Sequence, residues 1–466
     1  MAKQSTHLLI RNRTSWDISG TYKHISGHTK GALPGTIPAG HDSALLTASQ
    51  TTALHGAEGR WDLDLGAGIE AAADRRLVFK HCCSVAKGGN YFRVEQLSPF
   101  VSIEARYGNG RPTGDPEWGS ESFPHGGSPL GVQLTVSERT PVTAFTVLTY
   151  NTHLFEGSNA AIVEPFIKDR LVYKDHERMD EMVDRILALD PDVVCLQEVW
   201  AEEWQRRLRS VLNQRYPYVH ILPEQVEQAP DLWGSALAAN VSGAFDVVDE
   251  LKNTSGLFVA SKFPILQPHF TRYVDATKTE DKWAAKGAFR FNVRLRVTPG
   301  GAIDVALATT HAFTRVDPDA LANVALMAKE TFGHYPRCDA ILAGDFNIHA
   351  ISATEYDRLT AILSQWGARD ALQGFDIEEV WTDWPNGTLL TDHLKHRKPD
   401  PNPDESTRDR IDYVVHRPAN PDQGAHFEPE LPGGVSVFHD WKIEDGTEVS
   451  DHAPVCLRFT LAGVDS

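Results

Sequence analysis

The stretch that decides the fold is residues 174–200, which read KDHERMDEMVDRILALDPDVVCLQEVW. In its first half, apolar residues recur at intervals of three and four, as on one face of a helix, and Asp190-Pro191 ends that helix. The apolar run Val193–Leu196 then predicts a buried strand, which the acidic Glu198 follows closely. A helix that leads directly into a buried strand is typical of an α/β domain.

The same alternation of strands and helices continues on both sides of this stretch, from Thr146 onward. Further strands are predicted at Phe145–Thr149, Leu257–Ala260, Ala288–Val297, Ile303–Thr309, Ala340–Ala343, Ile411–Val415 and Val455–Phe459. Further helices are predicted near Trp204–Leu212, Asp319–Phe332 and Thr354–Leu363.

Before residue 140 the pattern is different, because short β-rich pieces are separated by Gly, Pro, Asn and Asp. These pieces are Leu8–Ile10, Ser43–Leu46, Trp61–Leu65, Leu77–Lys80, Tyr91–Val94, Val101–Ala105 and Val132–Val136. Such spacing predicts an all-β sandwich. We therefore expect two domains, residues 1–140 and 141–466, joined near Ser137–Pro141.

Composition and charge restrict the partners of the chain. Its 466 residues are 41% hydrophobic, which is ordinary for a globular protein, and no apolar run is long enough to span a membrane. The first residues show no secretory signal, so we expect a cytoplasmic protein or one exported by a non-Sec route. The five cysteines are expected to be reduced and buried.

The net charge of −18 lies in the second domain. Residues 1–140 contain 14 basic and 13 acidic residues, whereas the remainder contains 31 and 50. No Lys/Arg cluster interrupts this acidic field, which disfavours a nucleic acid as partner.

Residues suited to bind a hard cation or move a proton follow the predicted strands. They are Asn151 and His153, Glu198, His311, and Asp345 with Asn347. Because ligands collect beyond strand ends, several such residues together predict one site. A buried carboxylate such as Glu198 needs a cation or hydrogen-bond donors, and a structural pair with an arginine is the alternative to a metal.

Two further pairs suggest acid–base chemistry. An extended Gly344–Asn347 would place the Asp345 and Asn347 side chains on the same side, with Phe346 in the core. Asp412 is positioned to accept the ring proton of His452, which would fix the tautomer that a general base requires.

In their order along the chain, six blocks resemble the endonuclease/exonuclease/phosphatase superfamily, which implies a four-layer α/β/β/α sandwich of the DNase I-like type. The blocks are Thr149–His153, Leu196–Trp200, Thr310-His311, Gly344–Asn347, Arg410–Tyr413 and Ser450–Pro454. Within it, Gly256–Ile265 and Asp281–Phe289 resemble segments of the neutral sphingomyelinases. Phe313 departs from that pattern, since those enzymes usually carry Gln two residues after the histidine.

The resemblance implies a role for each candidate residue. Glu198 would be the main ligand of Mg²⁺, or of Mn²⁺ or another divalent cation, with Asn151 and Asp451 near the metal. Asp345 and Asn347 would hold the attacking water and a phosphate oxygen, and His311 would stabilise the phosphorane. His452, oriented by Asp412, would take the proton from water.

The first domain resembles the aegerolysins at four places, which implies a module for membrane lipids or for a protein partner. The matching segments are Ile10–Ser15, Ile37–Gly40, Gly56–Arg60 and Gly88–Tyr91. A general β-sandwich adhesion domain is the alternative.

The sequence as a whole favours a Mg²⁺-dependent, sphingomyelinase-like phosphodiesterase that acts on a phospholipid head group at a membrane surface. A nuclease or an inositol-phosphate phosphatase on the same scaffold is the enzymatic alternative. A lipid-binding, toxin-like protein is the alternative from another class.

Overall fold

The structure is a computed structural model. It describes residues 5–26, 28–30, 35–43, 45–49, 57–69, 71–83, 91–109, 111–113, 129–157, 173–213, 215–226, 234–235, 254–274, 281, 284–299, 301–383, 409–419 and 424–463. These residues form two compact units, the first mainly from residues 1–142 and the second from most of residues 143–466. The family-like segments Gly88–Asn90 and Lys282-Trp283 lie outside the described residues.

The first unit is built from strands. They are β1 (Ser5–Arg13), β2 (Ile18–Ser26), β3 (His28–Lys30), β4 (Thr36–Ile37), β5 (Leu46–Ser49), β6 (Ala57–Asp64), β7 (Arg76–Cys83), β8 (Tyr91–Gln96), β9 (Val101–Asn109) and β10 (Leu130–Glu138). Two five-stranded sheets result, ordered β3-β5-β1-β10-β9 and β4-β2-β6-β7-β8. Strands β1 and β10 are parallel, whereas the other pairings described in these sheets are antiparallel.

A buried asparagine organises the first turn of this unit. Asn12 is fully buried, and its Nδ2 donates to the carbonyls of Trp16, Ile37 and Pro38 at 2.7–3.1 Å. Its Oδ1 accepts hydrogen bonds from the backbone N–H and the hydroxyl of Thr14. Residues that carry the resemblance to aegerolysins thus have a structural task here, and the resemblance itself stays a prediction.

The second unit contains two larger sheets. Its strands are β11 (Ala144–Leu154), β12 (Val193–Val199), β13 (Tyr218–His220), β15 (Phe258–Ser261), β16 (Ile265–Arg272), β17 (Gly287–Arg296), β18 (Ala302–His311), β19 (Asp339–Asp345), β20 (Arg369–Asp370), β21 (Asp412–Arg417), β22 (His426–Pro429), β23 (Val435–Val437) and β24 (Val455–Ala462), while β14 is Gly234–Ser235. One sheet contains β13-β15-β12-β11-β24-β22 in that order, with β23 also paired to β24. The other has the order β16-β17-β18-β19-β21-β20.

Amphipathic helices cover each of these sheets. The helices are α1 (Asp175–Leu189), α2 (Glu202–Leu212), α3 (Leu321–His334), α4 (Ala353–Ser364) and the short α5 (Ile377–Val380). Apolar residues of α1 and α2 share a buried core with β11, β12 and β15. Those of α3 and α4 share a second core with β18, β19 and β21. The second unit is therefore an α/β structure with helices packed on two sheets.

The strand–helix alternation predicted from Thr146 onward matches these elements closely. Helix α3 starts later than predicted, because Val316–Ala320 forms a π-helical turn before it. Strand β5 begins at Leu46 rather than Ser43, whose hydroxyl instead accepts the Ile10 N–H at 2.9 Å. The strands β2 and β16 were not predicted, because their sequences are too polar to show an apolar run. The short strands β3, β4, β13, β14, β20, β22 and β23 were not predicted either.

The structure also bears on two expectations that were drawn from the composition, on membrane spans and on cysteines. Among the described residues, no helix is long and apolar enough to cross a membrane. Cys82, Cys195, Cys338 and Cys456 are thiols rather than disulfides, as predicted, but Cys82 and Cys338 are partly exposed rather than buried.

Candidate active site

The parallel strands β11 and β12 end in a bulge, and the polar residues Asn151, His153 and Glu198 lie at this end of the two strands. The register between them shifts between Asn151 and Leu154, so that β11 has one residue more than β12. His153 and Glu198 both take left-handed backbone conformations there, with φ of 51° and 57°. Such conformations are costly for residues with a Cβ and collect at functional sites.

The other sheet contributes His311 and Asp345 from the ends of the parallel strands β18 and β19. Gly344 is required beside them, since a Cβ on it would lie 2.2 Å from the Thr310 carbonyl oxygen. Phe346 is buried, as predicted, and it stacks on Tyr413.

Asn347 differs from the extended geometry that the sequence suggested. Its φ is 51°, so the period of two stops at Phe346. Its backbone N–H donates to Asp345 Oδ1 at 2.8 Å, and its Nδ2 donates to the Ala312 carbonyl at 3.1 Å. A turn held by the Asp345 carboxylate replaces the extended backbone that was expected up to Asn347.

Residues from the two sheets meet at this edge. Asn151 Nδ2 donates to Asp345 Oδ2 at 2.9 Å. Nε2 of His311 lies 3.7 Å from Glu198 Oε1 and 3.6 Å from Asp345 Oδ2. The structure therefore brings Asn151, Glu198, His311 and Asp345 together, as strand ends that share an edge were expected to do.

His452 and Asp412 form the second part of the site. Nδ1 of His452 is 2.7 Å from Asp412 Oδ2, and Asp412 is 1% exposed. Asp345, Asp412 and His452 each offer a ligand atom, and these atoms lie within 4.8 Å of one another. This cluster differs from the metal-ligand set implied by the resemblance, which is Glu198, Asn151 and Asp451.

Two carboxylate oxygens at the site are buried and have no hydrogen-bond donor in the described part of the chain. They are Glu198 Oε2 and Asp412 Oδ1. Nδ1 of His153 lies 3.5 Å from Glu198 Oε2, which is an ion-pair contact rather than a hydrogen bond. Buried carboxylate oxygens without donors are suited to bind a cation.

Charges within the site shift the proton affinities in opposite directions. Burial opposes the imidazolium of His452, but the Asp412 carboxylate, together with those of Asp345 and Asp451, raises the pKa of His452 well above its usual value. Burial and then the Lys286 ammonium lower the pKa of His311 well below its usual value. The two histidines are thus suited to different roles in a reaction.

The pKa values of the carboxyl groups are also shifted in different directions. Burial, and then the Asp412 carboxylate, raise the pKa of Asp345. At Glu198 burial opposes ionisation, yet His153 and His311 hold the pKa of the carboxyl below its usual range. Burial raises the pKa of Asp383, a residue that sequence reasoning missed, to about 6. Asp383 forms backbone bridges to both Asp409 and His452.

Lys286 is a second residue to which the sequence assigned no role. It is 4% exposed, lies 2.9 Å from Asp281 Oδ1, and its Nζ is 3.1 Å from Nε2 of His311. Only the resemblance of its segment to sphingomyelinases pointed to it. Lys286 places a positive charge beside the histidine expected to contact phosphate.

Arg178 on α1 links the end of β11 to the segment that precedes Ser450. It is fully buried and donates to the carbonyls of Thr152, His153 and Val449 at 2.7–3.3 Å. The first two form the bulge, and Val449 precedes Ser450–His452. The signal available in the sequence was an arginine on an otherwise apolar face of the predicted helix.

Phe313, the departure from the sphingomyelinase pattern, belongs to the core. It is 3% exposed and packs edge to face on Tyr273, with ring centroids 5.8 Å apart. The side chain at this position is therefore turned into the protein.

Comparisons with known proteins extend these observations. The sequence model described as "Endonuclease/Exonuclease/phosphatase family" matches residues 148–452. A search of curated proteins found no match.

Solved structures with similar folds include sphingomyelinase C from Streptomyces griseocarneus, with 21% identity, a TM-score of 0.44, and coverage of 68% of this chain and 99% of that one. A magnesium-bound mutant of beta toxin from Staphylococcus aureus has 15% identity and a TM-score of 0.45, with coverage of 68% and 99%. TDP2 from D. rerio, complexed with a single-strand DNA product, has 13% identity and a TM-score of 0.41, with coverage of 68% and 100%.

Proposed function

Because this chain belongs to the endonuclease/exonuclease/phosphatase family, we propose that it is a divalent-metal-dependent phosphodiesterase. The observation that carries the proposal is the His452–Asp412 pair beside Asp345. Since Asp412 holds Nδ1 at 2.7 Å, Nε2 is the ring nitrogen left to accept a proton. A histidine oriented by a buried carboxylate is the arrangement of a general base.

The residues present fit a divalent cation at Glu198. Its Oε2 is buried and has no donor among the described residues, and Asp451 Oδ1 lies 3.4 Å from the same His153 nitrogen that is 3.5 Å from Glu198 Oε2. Glu198 and Asp451 would hold the ion, with Asn151 beside them, and Mg²⁺ needs only one or two protein carboxylates. When bound, the ion offsets negative charge on the phosphate and makes its bound water more acidic.

The chain's own groups account for the other requirements of hydrolysis. His452 accepts the proton of the attacking water, and Asp345 with Asn347 positions that water and a phosphate oxygen. His311, with Lys286 Nζ at 3.1 Å, faces the charge that develops on the phosphorane.

We infer that the substrate is a phospholipid head group of the sphingomyelin type. The support is the sphingomyelinase-like segments together with the acidic charge, since residues 141–466 carry 31 basic against 50 acidic residues. Lys286, whose Nζ is 3.1 Å from His311 Nε2, is buried and paired with Asp281 rather than presented to a polyanion. A nucleic acid would meet repulsion at such a surface.

The test compares substrates with the full-length protein in Mg²⁺. Sphingomyelin vesicles should release phosphocholine, whereas plasmid DNA and inositol phosphates should remain intact, and Glu198→Gln should abolish the release. Cleavage of DNA or of an inositol phosphate with no release from vesicles would overturn the lipid assignment.

We further propose the α/β/β/α layering for residues 141–466, supported by the two separate cores on which α1 with α2 and α3 with α4 pack. We also propose that residues 1–140 form a separate lipid-binding domain. Mild proteolysis should cut between about 136 and 145, and the released first domain should bind sphingolipid vesicles. Resistance to cleavage there, or no vesicle binding, would contradict this organisation.

A further inference from the structure

A second histidine–carboxylate pair lies close to the candidate site, and the reaction described above gives it no role. Nδ1 of His349 is 2.6 Å from Asp409 Oδ2. Asp409 is 3% exposed, whereas the side chain of His349 is 45% exposed. His349 lies two residues after Asn347, and Asp409 lies three residues before Asp412. The pair therefore connects two segments that each carry a residue of the proposed reaction.

The Asp409 carboxylate makes several contacts with these two segments. Its Oδ1 accepts the backbone N–H of Ile351 at 3.2 Å and that of Arg410 at 2.7 Å. Its Oδ2 is bound by the ring of His349, whose backbone N–H donates to Glu355 Oε2 at 3.2 Å. Both oxygens of one buried carboxylate thus hold the loop between β19 and α4 in place.

Two further links between this loop and the segment that leads into β21 are made by backbone and hydroxyl groups. The Phe346 N–H donates to the Ile411 carbonyl at 2.9 Å. The Tyr413 hydroxyl donates to the Ile348 carbonyl at 2.8 Å, and burial keeps the pKa of that hydroxyl well above its usual value. Among the links found in the described residues, only the histidine–aspartate pair changes its charge near neutral pH.

We propose that His349 is a positioning residue for hydrolysis. Its imidazolium, bound to Asp409, holds the Asn347 turn against the strand that carries Asp412, so that loss of the ring proton lowers turnover. The inference rests on the proposed function, in which Asn347 and Asp412 take part. A hydrogen bond between ionised groups is about twice as strong as the neutral-donor bond that remains after deprotonation. A turn that is held less firmly spends less time in the reactive geometry.

The groups that face the imidazole of His349 favour its charged form. The hydrogen bond to the Asp409 carboxylate raises the pKa of His349 above its usual value, although burial opposes this. The carboxylates of Glu355 on α4 and of Asp383 act in the same direction as Asp409. The ion pair is therefore intact below this raised pKa, and it is lost as the pH rises through it.

The experiment compares pH–rate profiles of the full-length protein and its variants on 4-nitrophenyl phosphorylcholine, a soluble phosphodiester, in saturating Mg²⁺. His349→Arg keeps a cation that pairs with Asp409 and does not titrate near neutral pH, whereas His349→Gln removes the cation. The ratio of wild-type to His349→Arg turnover isolates the ring of His349, because the titration of His452 is common to both proteins. NMR titration of the His349 ring in the wild type gives its pKa independently.

His426→Gln is the matched control. His426 is a histidine of the same unit whose Nε2 lies 3.3 Å from Glu428 Oε1, and the Gly424 carbonyl raises its pKa. It belongs to β22, which carries none of the candidate site residues. The control therefore removes a histidine with a carboxylate partner at a distance from the Asn347 turn.

We expect the ratio of wild-type to His349→Arg turnover to be about one at pH values below the pKa of His349 and to fall to about one third above it, because only the wild type loses its ion pair. The midpoint of this fall should equal the pKa that NMR gives for the ring. His349→Gln should lose about threefold to tenfold in kcat at low pH, with KM unchanged. His426→Gln should match the wild type at every pH.

Asp409→Asn tests the other half of the pair. The amide oxygen of asparagine still accepts the N–H groups of Ile351 and Arg410, but the negative charge beside His349 is lost. Asp409→Asn should lower kcat in the wild-type background and change it by less than about twofold in the His349→Gln background, since the two residues act as one unit. Losses that multiply in the double variant would overturn the inference.

The remaining outcomes separate this inference from the proposed function. A ratio that is constant over the pH range, a midpoint that differs from the NMR value, or wild-type kcat in His349→Gln would show that His349 does not position the site, while an active wild type leaves the phosphodiesterase assignment intact. A wild type that hydrolyses no phosphodiester at any pH would contradict the proposed function itself, and the inference with it.

Discussion

Two buried polar centres in this protein, one in each unit, are built in opposite ways. In the first unit, Asn12 has donors and acceptors of the chain on both ends of its amide. In the second, Glu198 and Asp412 each have a buried carboxylate oxygen with no donor among the described residues. Both centres lie where a strand ends, so position alone does not distinguish them.

The difference lies in what completes the hydrogen bonding. A buried amide satisfied by backbone groups stabilises the fold and needs no ligand. Carboxylates left incomplete beside strained residues cost stability that a ligand can offset. We therefore expect substitutions at the first centre to change stability and those at the second to change turnover.

Glu198→Gln should show the largest effect. The amide keeps the size of the side chain but loses the charge that a cation requires, so turnover should fall by roughly a thousandfold or more while the protein stays folded. Turnover and thermal unfolding of the same preparation measure both effects. Excess EDTA should reduce the turnover of the wild type to the same extent.

The matched control is Glu181→Gln on α1, which removes a charge from an exposed pair with Arg185. It should leave turnover unchanged, because such pairs contribute little. Full activity in Glu198→Gln or in EDTA would show that the incomplete carboxylate is not a metal ligand, and the contrast between the two centres would lose its meaning.

Asp412→Asn tests the second incomplete carboxylate. Turnover should fall about a hundredfold, the usual scale for a disturbed general base. Because the Asp412 carboxylate raises the pKa of His452, wild-type activity should fall as the pH drops through that raised value. In Asp412→Asn the pKa of His452 should be lower, so the acidic limb of the pH–rate profile should move to lower pH.

His452→Ala and His311→Ala complete this test. Both should lose about a hundredfold or more in turnover, but only His452→Ala should also lose the acidic limb. An unchanged acidic limb in Asp412→Asn, or one that persists in His452→Ala, would mean that another group accepts the proton.

Much of this arrangement could be predicted from the sequence, because periodicity shows where strands end. The polar residues at the ends of β11, β12, β18 and β19 were identified in this way. The bulge at His153 and the turn at Asn347 could not be, since both depend on backbone conformations that the apolar pattern does not record. Lys286 and Arg178 were missed because their partners, such as Ala312 and Val449, are distant backbone carbonyls.

Asn12→Ala should have the smallest effect on catalysis and a clear effect on stability. The change removes the amide's bonds to Trp16, Ile37 and Pro38 and the acceptor of the Thr14 N–H, which costs about 2–4 kcal/mol. The unfolding midpoint of the first unit should fall by roughly 5–15 °C. Turnover on a soluble substrate, per folded molecule, should equal that of the wild type, because the site residues all belong to the second unit.

The comparison also needs a control variant in which an exposed polar side chain, rather than a buried one, is changed. Asp62→Asn weakens an exposed pair with Arg76 and should shift the unfolding midpoint by no more than about 1–2 °C. If Asn12→Ala were as stable as Asp62→Asn, the buried amide would contribute nothing measurable to the fold. If instead it lost turnover at full stability, a polar centre completed by its own chain would still serve catalysis, and hydrogen-bond completeness would not separate structural from catalytic residues in this protein.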